Sequence, residues 1–508
     1  MKKYTLILLF NLIFLELNAQ QVYFNNRYDI EQGLEGGSGI LNTANGYITI
    51  GFSRTIDFSK RFLFIWEINK EGHTNWIKSH SYSPFFSSNS YGPNTNNDTN
   101  FYFVTGNFLA SNGYKKFLFK INRNNGDSIW LQKFDYFDTT YTSYSSRAIE
   151  ISGGNFFMAG ADDKSGNPDI FLMKTDSLGN ELWLKRYGGA GVENTTDMVI
   201  TADGGTILCG RTEVSGIMKS IIIKTDSSGN IQWQRVYGGN QYNSGHSNVT
   251  LTSDGGYAVS YLHTNLESFG RGYGVIRLMK LNSHGNIQWQ KDYLKNYNRF
   301  GDYEGSTYRI SQLKDNSYLM VTTDARTGGL LKVSSTGDSL WYRTYRNVNP
   351  NADTTNISHN YLWDYLVDTL DNNSIVAVGQ VFPVPPDTGT QDMWVIKLDS
   401  LGCPFAGCDT IGKIDDTSIN NILVSDANIA VYPNPAHNSF IFEMLLTSPV
   451  PIKLSLWDYT GKQWLSETWH DPPAHVKKQL NISMAPPGLY FLRVEVNGKL
   501  FTRKIVKI

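Results

Sequence analysis

One short pattern recurs along this chain and limits what it can fold into. Ile222-Ile-Lys-Thr-Asp-Ser-Ser-Gly-Asn-Ile-Gln-Trp233 is closely matched by Leu172-Met-Lys-Thr-Asp-Ser-Leu-Gly-Asn-Glu-Leu-Trp183. Further copies run from Glu67 to Trp76, Phe119 to Trp130, Met279 to Trp289 and Leu331 to Trp341. The closing tryptophans Trp76, Trp130, Trp183, Trp233, Trp289 and Trp341 stand 50 to 56 residues apart. That period is too long for a short solenoid repeat and fits a four-stranded propeller blade. A seventh copy, Trp394-Val-Ile-Lys-Leu-Asp-Ser-Leu-Gly402, runs into Cys403-Pro-Phe-Ala-Gly-Cys408 before any fourth strand. The strand Val22-Tyr23-Phe24-Asn25 is unpaired and precedes the first unit as Val236-Tyr237 precedes the fifth. It is expected to complete the last unit, because closing a ring removes sheet edges that invite aggregation.

Each unit reads as an antiparallel four-stranded sheet. In the fourth unit the expected strands are Met198–Thr201, Thr206–Gly210, Ser220–Lys224 and Ile231–Tyr237. Asp203-Gly-Gly205 and Ser227-Ser-Gly-Asn230 supply turn residues that tolerate positive φ. Ile221-Ile-Ile223 is apolar throughout, as expected of a strand buried on both faces between neighbouring sheets. With 508 residues, 13% aromatic and 18% charged, the composition suits a large all-β protein rich in turns. The net charge is −1 and there is no long basic run. This argues against nucleic acid and against a polybasic membrane contact.

The ends of the chain read as export signals. Lys2 and Lys3, the apolar Leu6–Leu15 and the Leu17-Asn18-Ala19 site form a cleavable signal peptide over residues 1–19. The apolar run is too short to span a bilayer comfortably, and no later segment approaches that length. In an oxidising compartment, Cys403 and Cys408 can pair locally, whereas Cys209 in Ile207-Leu208-Cys209 reads as a small buried hydrophobe. Two sulfurs without a nearby His do not make a metal site, and none is expected. The body spans residues 20–408. Residues 409–428 are polar and read as a linker. A short β-sandwich of the Ig kind is expected over 429–508.

Two resemblances extend this reading. The repeat resembles the tryptophan-docking motif of quinoprotein-type β-propellers, in which Asp is followed by Gly four residues on and Trp four after that. Asn122, Gly126 and Trp130 keep the spacing with Asn for Asp, whereas Asp176, Gly179 and Trp183 shorten the turn by one. The resemblance covers architecture only. There is no adjacent cysteine pair and no quinone or calcium constellation, so no cofactor is expected. It implies that the six repeated tryptophans dock blade to blade.

The second resemblance covers residues 429–508. Tyr432-Pro433-Asn434-Pro435, the Tyr-Thr-Gly461-Lys turn, the strand from Gly488 through Tyr490, and the basic end around Lys504 follow in order. Together they resemble the type A C-terminal sorting domain of type IX secretion substrates. This implies a Bacteroidota-type cell and engagement of the type IX secretion machinery. It also implies passage across the outer membrane, removal of the domain, and display at the surface or release.

Candidates for chemistry are sparse. The nine His are scattered; His246, His263 and His359 fall in expected loops or strand ends. No HExxH helix motif and no GxSxG elbow occur. The recurrent Lys-Thr-Asp resembles part of a sialidase Asp-box, but its Gly comes three residues after Asp where the box has two. A residue repeated in every blade also reads as scaffold. The long, variable connections Tyr82–Asp98, Phe134–Arg147, Leu262–Gly274, Asp292–Tyr308, Thr344–Tyr365 and Gln380–Asp392 are expected on one face, where binding usually resides. Phe85, Phe86, Tyr91, Tyr144, Tyr242, Tyr297, Tyr361 and Trp363 are the candidate binding residues, able to stack on a glycan or peptide. The sequence thus predicts a seven-bladed propeller that binds a protein or glycan ligand without catalysis. The competing reading is a glycan hydrolase or lyase using loop carboxylates such as Asp302, Glu304 and Asp364.

Overall fold

The computed structural model describes residues 22–29, 33–56, 61–80, 86–87, 101–110, 113–139, 147–163, 167–238, 247–266, 272–296, 307–324, 327–347, 359–383, 390–405, 429–445, 451–458, 462–470, 472–473, 475–496 and 499–508. The signal peptide, the linker 409–428, Cys408 and Gly461 lie outside them. Among the described residues the chain is almost entirely β, with no α-helix. Up to Leu398 the strands form seven four-stranded antiparallel sheets, each built from consecutive strands except the last. That last sheet joins Asn360–Asp368, Ser374–Val381 and Asp392–Leu398 to the N-terminal strand Phe24–Tyr28. Phe24 lies opposite Lys397, and Tyr28 opposite Met393.

The sheets touch in cyclic order, and the first strand of the first sheet, Leu34–Asn42, packs on the last sheet. This is a propeller-like arrangement. Its cores lie between sheets, and alternation of side chains supplies them. Ile221 and Ile223 join Leu172 and Phe157 in the cluster shared with the third sheet, while Ile222 joins Val259 and Met279 on the fifth-sheet side. A strand serving two cores must be apolar at every position, which explains the continuous run. Burying each such isoleucine contributes about 1.5–3 kcal/mol.

The repeated motif builds turns and a joint between sheets. Asp176 Oδ1 accepts the Leu178 and Asn180 N–H groups at 2.9 and 2.8 Å, and Asp226 repeats this with Ser228 and Asn230. The motif's lysine turns back to the other hairpin of its own sheet. Lys224 pairs with Asp203 at 2.7 Å, Lys280 with Asp254 at 2.8 Å, and Lys397 with Asp371 at 2.7 Å. The turn glycine, in the left-handed region, meets the tryptophan of the preceding sheet. A Cβ on Gly126, Gly229, Gly285, Gly337 or Gly402 would lie within 2.8 Å of Trp76, Trp183, Trp233, Trp289 or Trp341, and Gly179 would meet Trp130 at 3.0 Å. Four residues beyond the ring a second contact follows. Tyr187, Tyr237, Tyr293 and Tyr345 hydroxyls donate to the carbonyls of Gly229, Gly285, Gly337 and Gly402 at 2.5–2.8 Å.

The closing strand reproduces both contacts. A Cβ on Gly72 would lie 2.8 Å from the Phe24 ring, and Tyr28 donates to the Gly72 carbonyl at 2.7 Å. Phe24 and Tyr28 therefore hold the places of Trp233 and Tyr237. The expected equivalence of Val22-Tyr23 with Val236-Tyr237 is out of register by five residues. In the fourth sheet the first strand starts at Glu193, earlier than expected, and the middle strands extend to Val214 and back to Ile217. Cys403 is disulfide-bonded and Cys209 is a buried free thiol.

Residues 429–508 form two antiparallel sheets. One joins Ile429–Tyr432, Ser439–Leu445 and His475–Asn481; the other joins Ile452–Asp458, Gln463–Trp469, Gly488–Val496 and Lys499–Lys507. Both line one core containing Phe442, Leu456, Leu480, Tyr490 and Leu492. Asn434 ties the opening motif to the final strand. Its amide donates to the Lys504 carbonyl at 2.7 Å and its Oδ1 accepts the Val506 N–H at 2.8 Å. Tyr490 is buried and donates to the Pro486 carbonyl at 2.5 Å. Tyr432 donates to Glu443, and its ring lies beneath Lys477. Pro433 and Pro435 are exposed.

Candidate functional site

From the third sheet round to the first, the first strands of successive sheets neighbour one another along the inner edge of the cycle. Several carry a bulge where two residues oppose one on the partner strand: at Ser38, Thr196, Tyr308 and Trp363. The residue after each bulge occupies an equivalent place. Cross-strand pairing puts Gly39, Arg147, Asp197, Asn248, Arg309 and Asp364 at one level of their sheets. Five of these six are polar, and four are charged with alternating sign between neighbours.

The belt is tightly bonded. Arg147 Nη1 lies 2.5 Å from Asp197 Oδ1, and Arg309 Nη1 lies 2.8 Å from Asp364 Oδ1. Asp197 also accepts the Met198 and Val249 N–H groups at 2.8 and 3.0 Å. Asp364 accepts those of Tyr365 and Ile40 at 2.8 and 3.2 Å. Each aspartate therefore bridges to the first strand of the next sheet. Asn248 does the same by donating to the Thr307 carbonyl at 2.7 Å. Burial pushes the Asp364 carboxyl up, while Arg309 and the two backbone N–H groups oppose it, and Arg147 contributes from further away. Asp364 in turn holds Arg309 firmly protonated, and Asp197 adds to that field. The four charges thus act as one neutral group.

The belt is asymmetric towards water. The Asp197 and Asp364 side chains are 6% and 5% exposed, whereas Arg309 is 35% exposed. The arginine side chains are thus the more exposed members of the belt.

An aromatic cluster stands beside the Arg309–Asp364 pair. Tyr308 and Trp363, the two bulge residues, meet edge to face with ring centroids 4.6 Å apart. Tyr361 lies 5.9 Å from Trp363, and His359 and Phe382 pack on Tyr361. Tyr361 and Trp363 are half-buried, and the Trp363 Nε1 has no hydrogen-bond partner. A bulge turns a side chain out of the sheet's alternation. Tyr361 and Trp363, two positions apart on one strand, share a face, and Tyr308, itself at a bulge, reaches them from the preceding sheet.

Of the predicted binding residues, the fold brings Tyr361 and Trp363 together, on the strand Asn360–Asp368 where a connection was expected. Phe86 falls on the short strand Phe86–Ser87. Phe85, Tyr91, Tyr144, Tyr242 and Tyr297 lie outside the described residues, as do Asp302 and Glu304. Asp364, read as a loop carboxylate, is a buried strand residue locked in an ion pair. Arg147, Asp197, Asn248 and Arg309 escaped sequence reasoning. Their signal was a polar residue within each first strand, directly before Ala148, Met198, Val249 or Ile310, visible only when the units are aligned on those strands.

Residues 430–508 match the family described as "Secretion system C-terminal sorting domain". The domain marks the protein for type IX secretion, to the cell surface or the medium. No helix among the described residues is long and apolar enough to cross a membrane. No curated protein sequence matches the chain. Among solved structures, the chain is similar to the polysaccharide lyase Uly1, with a TM-score of 0.43 and 7% identity over 72% of this chain and 90% of that one.

Proposed function

We propose that this exported protein is a seven-bladed β-propeller that binds a glycan on its long-loop face, joined to an Ig-like sandwich that serves as its sorting domain. Seven four-stranded sheets in cyclic contact, the last completed by Phe24–Tyr28, support the propeller. The two sheets around one core support the sandwich.

The observation that carries the binding reading is the Tyr308–Tyr361–Trp363 cluster beside the accessible Arg309. Aromatic faces stack on the apolar side of a sugar ring, and a guanidinium donates to its hydroxyl or carboxylate oxygens. Binding is favoured over catalysis because both belt carboxylates are committed to arginine and to backbone N–H groups. A general acid or base needs a carboxylate free to exchange its proton.

The test is a glycan and peptide array probed with the mature chain and with Trp363→Ala, alongside assays for polysaccharide turnover. We expect glycan binding that weakens about tenfold in the variant, the loss of one stacking contact, with the variant still folded by circular dichroism. Binding of peptides alone refutes the glycan reading. Polysaccharide turnover that disappears in Asp364→Asn, with folding intact, replaces binding by catalysis.

A further inference from the structure

The seam where the N-terminal strand enters the cycle gathers three carboxylates from three segments. Asp29 follows the closing strand, Glu35 lies at the start of Leu34–Asn42, and Asp392 opens the strand to which the N-terminus pairs. One oxygen from each lies within 4.8 Å of the other two. The backbone fixes this meeting, since the Glu35 N–H donates to the Gln391 carbonyl at 2.8 Å and the Gln391 amide returns to the Glu35 carbonyl at 2.7 Å.

Glu35 is the informative member. Its side chain is fully buried. Oε1 accepts the Ser53 hydroxyl at 2.8 Å, but Oε2 has no hydrogen-bond partner. An unpartnered carboxylate oxygen in such a place is costly. Arg27 Nε lies 2.9 Å from Asp392 Oδ2, so a cation already faces this group from the closing strand.

We propose that Asp29, Glu35 and Asp392 bind a calcium ion that locks the closing strand into the cycle. The donors are all hard carboxylate oxygens, with no imidazole or thiolate, which disfavours zinc and copper. Ca²⁺ accepts irregular carboxylate sets, whereas Mg²⁺ demands near-ideal octahedral geometry and gives up its waters reluctantly. Extracellular calcium modules need only about 10⁻⁴–10⁻³ M affinity, and an exported protein works where calcium is available at that level. The ion joins the end of the first strand to both of its neighbours, so it binds the closed body and not an open one.

The experiment uses the full mature chain, stripped with EDTA and dialysed. Ca²⁺ and Mg²⁺ are titrated separately by calorimetry, and the melting temperature is followed with each ion. The variants are Glu35→Gln and Asp29→Asn; Asp29 is exposed, so its variant folds even if the buried one does not. The expected result is one calcium per chain, bound at least tenfold more tightly than magnesium, with a rise of several degrees in melting temperature. Asp29→Asn weakens calcium about tenfold or more and loses most of the rise. Glu35→Gln, if folded, loses both and in EDTA is at least as stable as the wild type. Absence of calcium binding to the wild type overturns the proposal, as does calcium binding that Asp29→Asn leaves unchanged. Neither result bears on the glycan reading, whose residues lie elsewhere.

Discussion

Two glycines in the fifth sheet offer a matched test of how the sheets are joined. Gly255 and Gly285 both adopt φ +77° in analogous turns, so replacing either with alanine forces the same left-handed backbone on a Cβ. That costs about 1–2 kcal/mol at each position. Their surroundings differ. A Cβ on Gly255 meets nothing within 4 Å, whereas one on Gly285 lies 2.8 Å from Trp233 Cζ3 and 2.9 Å from Cη2. Carbon atoms prefer separations of about 3.5–4.0 Å, so the indole has to retreat by roughly 0.7 Å or more. It has little room, being packed against Tyr257 and under Arg235. Its retreat also disturbs the 2.5 Å bond from the Tyr237 hydroxyl to the Gly285 carbonyl. Overpacking of this kind adds about 1–3 kcal/mol. We expect Gly255→Ala to cost about 1–2 kcal/mol and Gly285→Ala about 2–5 kcal/mol. For a body of roughly 390 residues the unfolding entropy converts each kcal/mol to about 1 °C in melting temperature. Differential scanning calorimetry on the mature chain reads both. Equal losses in the two variants would refute the idea that tryptophan and turn glycine form the joint between sheets.

Further outcomes follow from other contacts. Arg309→Met leaves Asp364 buried without its cation and should cost about 3–5 kcal/mol, read as a fall in the urea midpoint. The double change with Asp364→Leu should recover most of that loss. Burial pushes the Asp254 carboxyl up, but hydrogen bonds from Lys280, Thr252 and the Gly256 N–H outweigh it and hold it down to about 2. A depressed carboxyl contributes stability above its unfolded value and loses it as pH falls from about 4 to 2. The Asp254 side chain is 52% exposed, so solvent screening keeps this contribution below about 1 kcal/mol. The gap in urea midpoint between wild type and Asp254→Asn should therefore be small at pH 5 and vanish near pH 2. A chain lacking residues 429–508 should remain in the periplasm, measured by fractionation and immunoblotting. Its normal appearance outside the cell would defeat the sorting assignment.

Much of the architecture was legible because the repeat is written in residues that perform local tasks. The aspartate and asparagine of each turn bond to their own neighbours, and the turn glycine is required by positive φ at that single position. Such constraints act over a few residues and survive in linear order. The four-strand grammar, the seventh unit without its tryptophan and the two-sided burial of Ile221–Ile223 all follow from them. The partner of the repeated lysine was less visible. It reaches Asp203 or Asp254 across the width of a sheet, a distance set by strand pairing and hidden in a run that resembles another motif.

The candidate site depends on contacts that no local pattern encodes. Asp197 and Arg147 are far apart in sequence and belong to different repeats, so neither alone differs from an ordinary strand residue. They become a pair only because the third and fourth sheets pack with both residues at the same level on the inner edge of the cycle, Asp197 set there by the bulge at Thr196. Tyr361 and Trp363 could be selected as aromatics, but their convergence with Tyr308 required the packing of two sheets. The acidic seam is similar: Asp29 and Asp392 meet only when the ends of the body do. The sequence by itself determined the repeat, the turns and the C-terminal sorting domain, because these depend on local geometry and on short motifs. The tertiary structure alone decided which charges face one another, since closure of the cycle brings together residues that chain order keeps hundreds of positions apart.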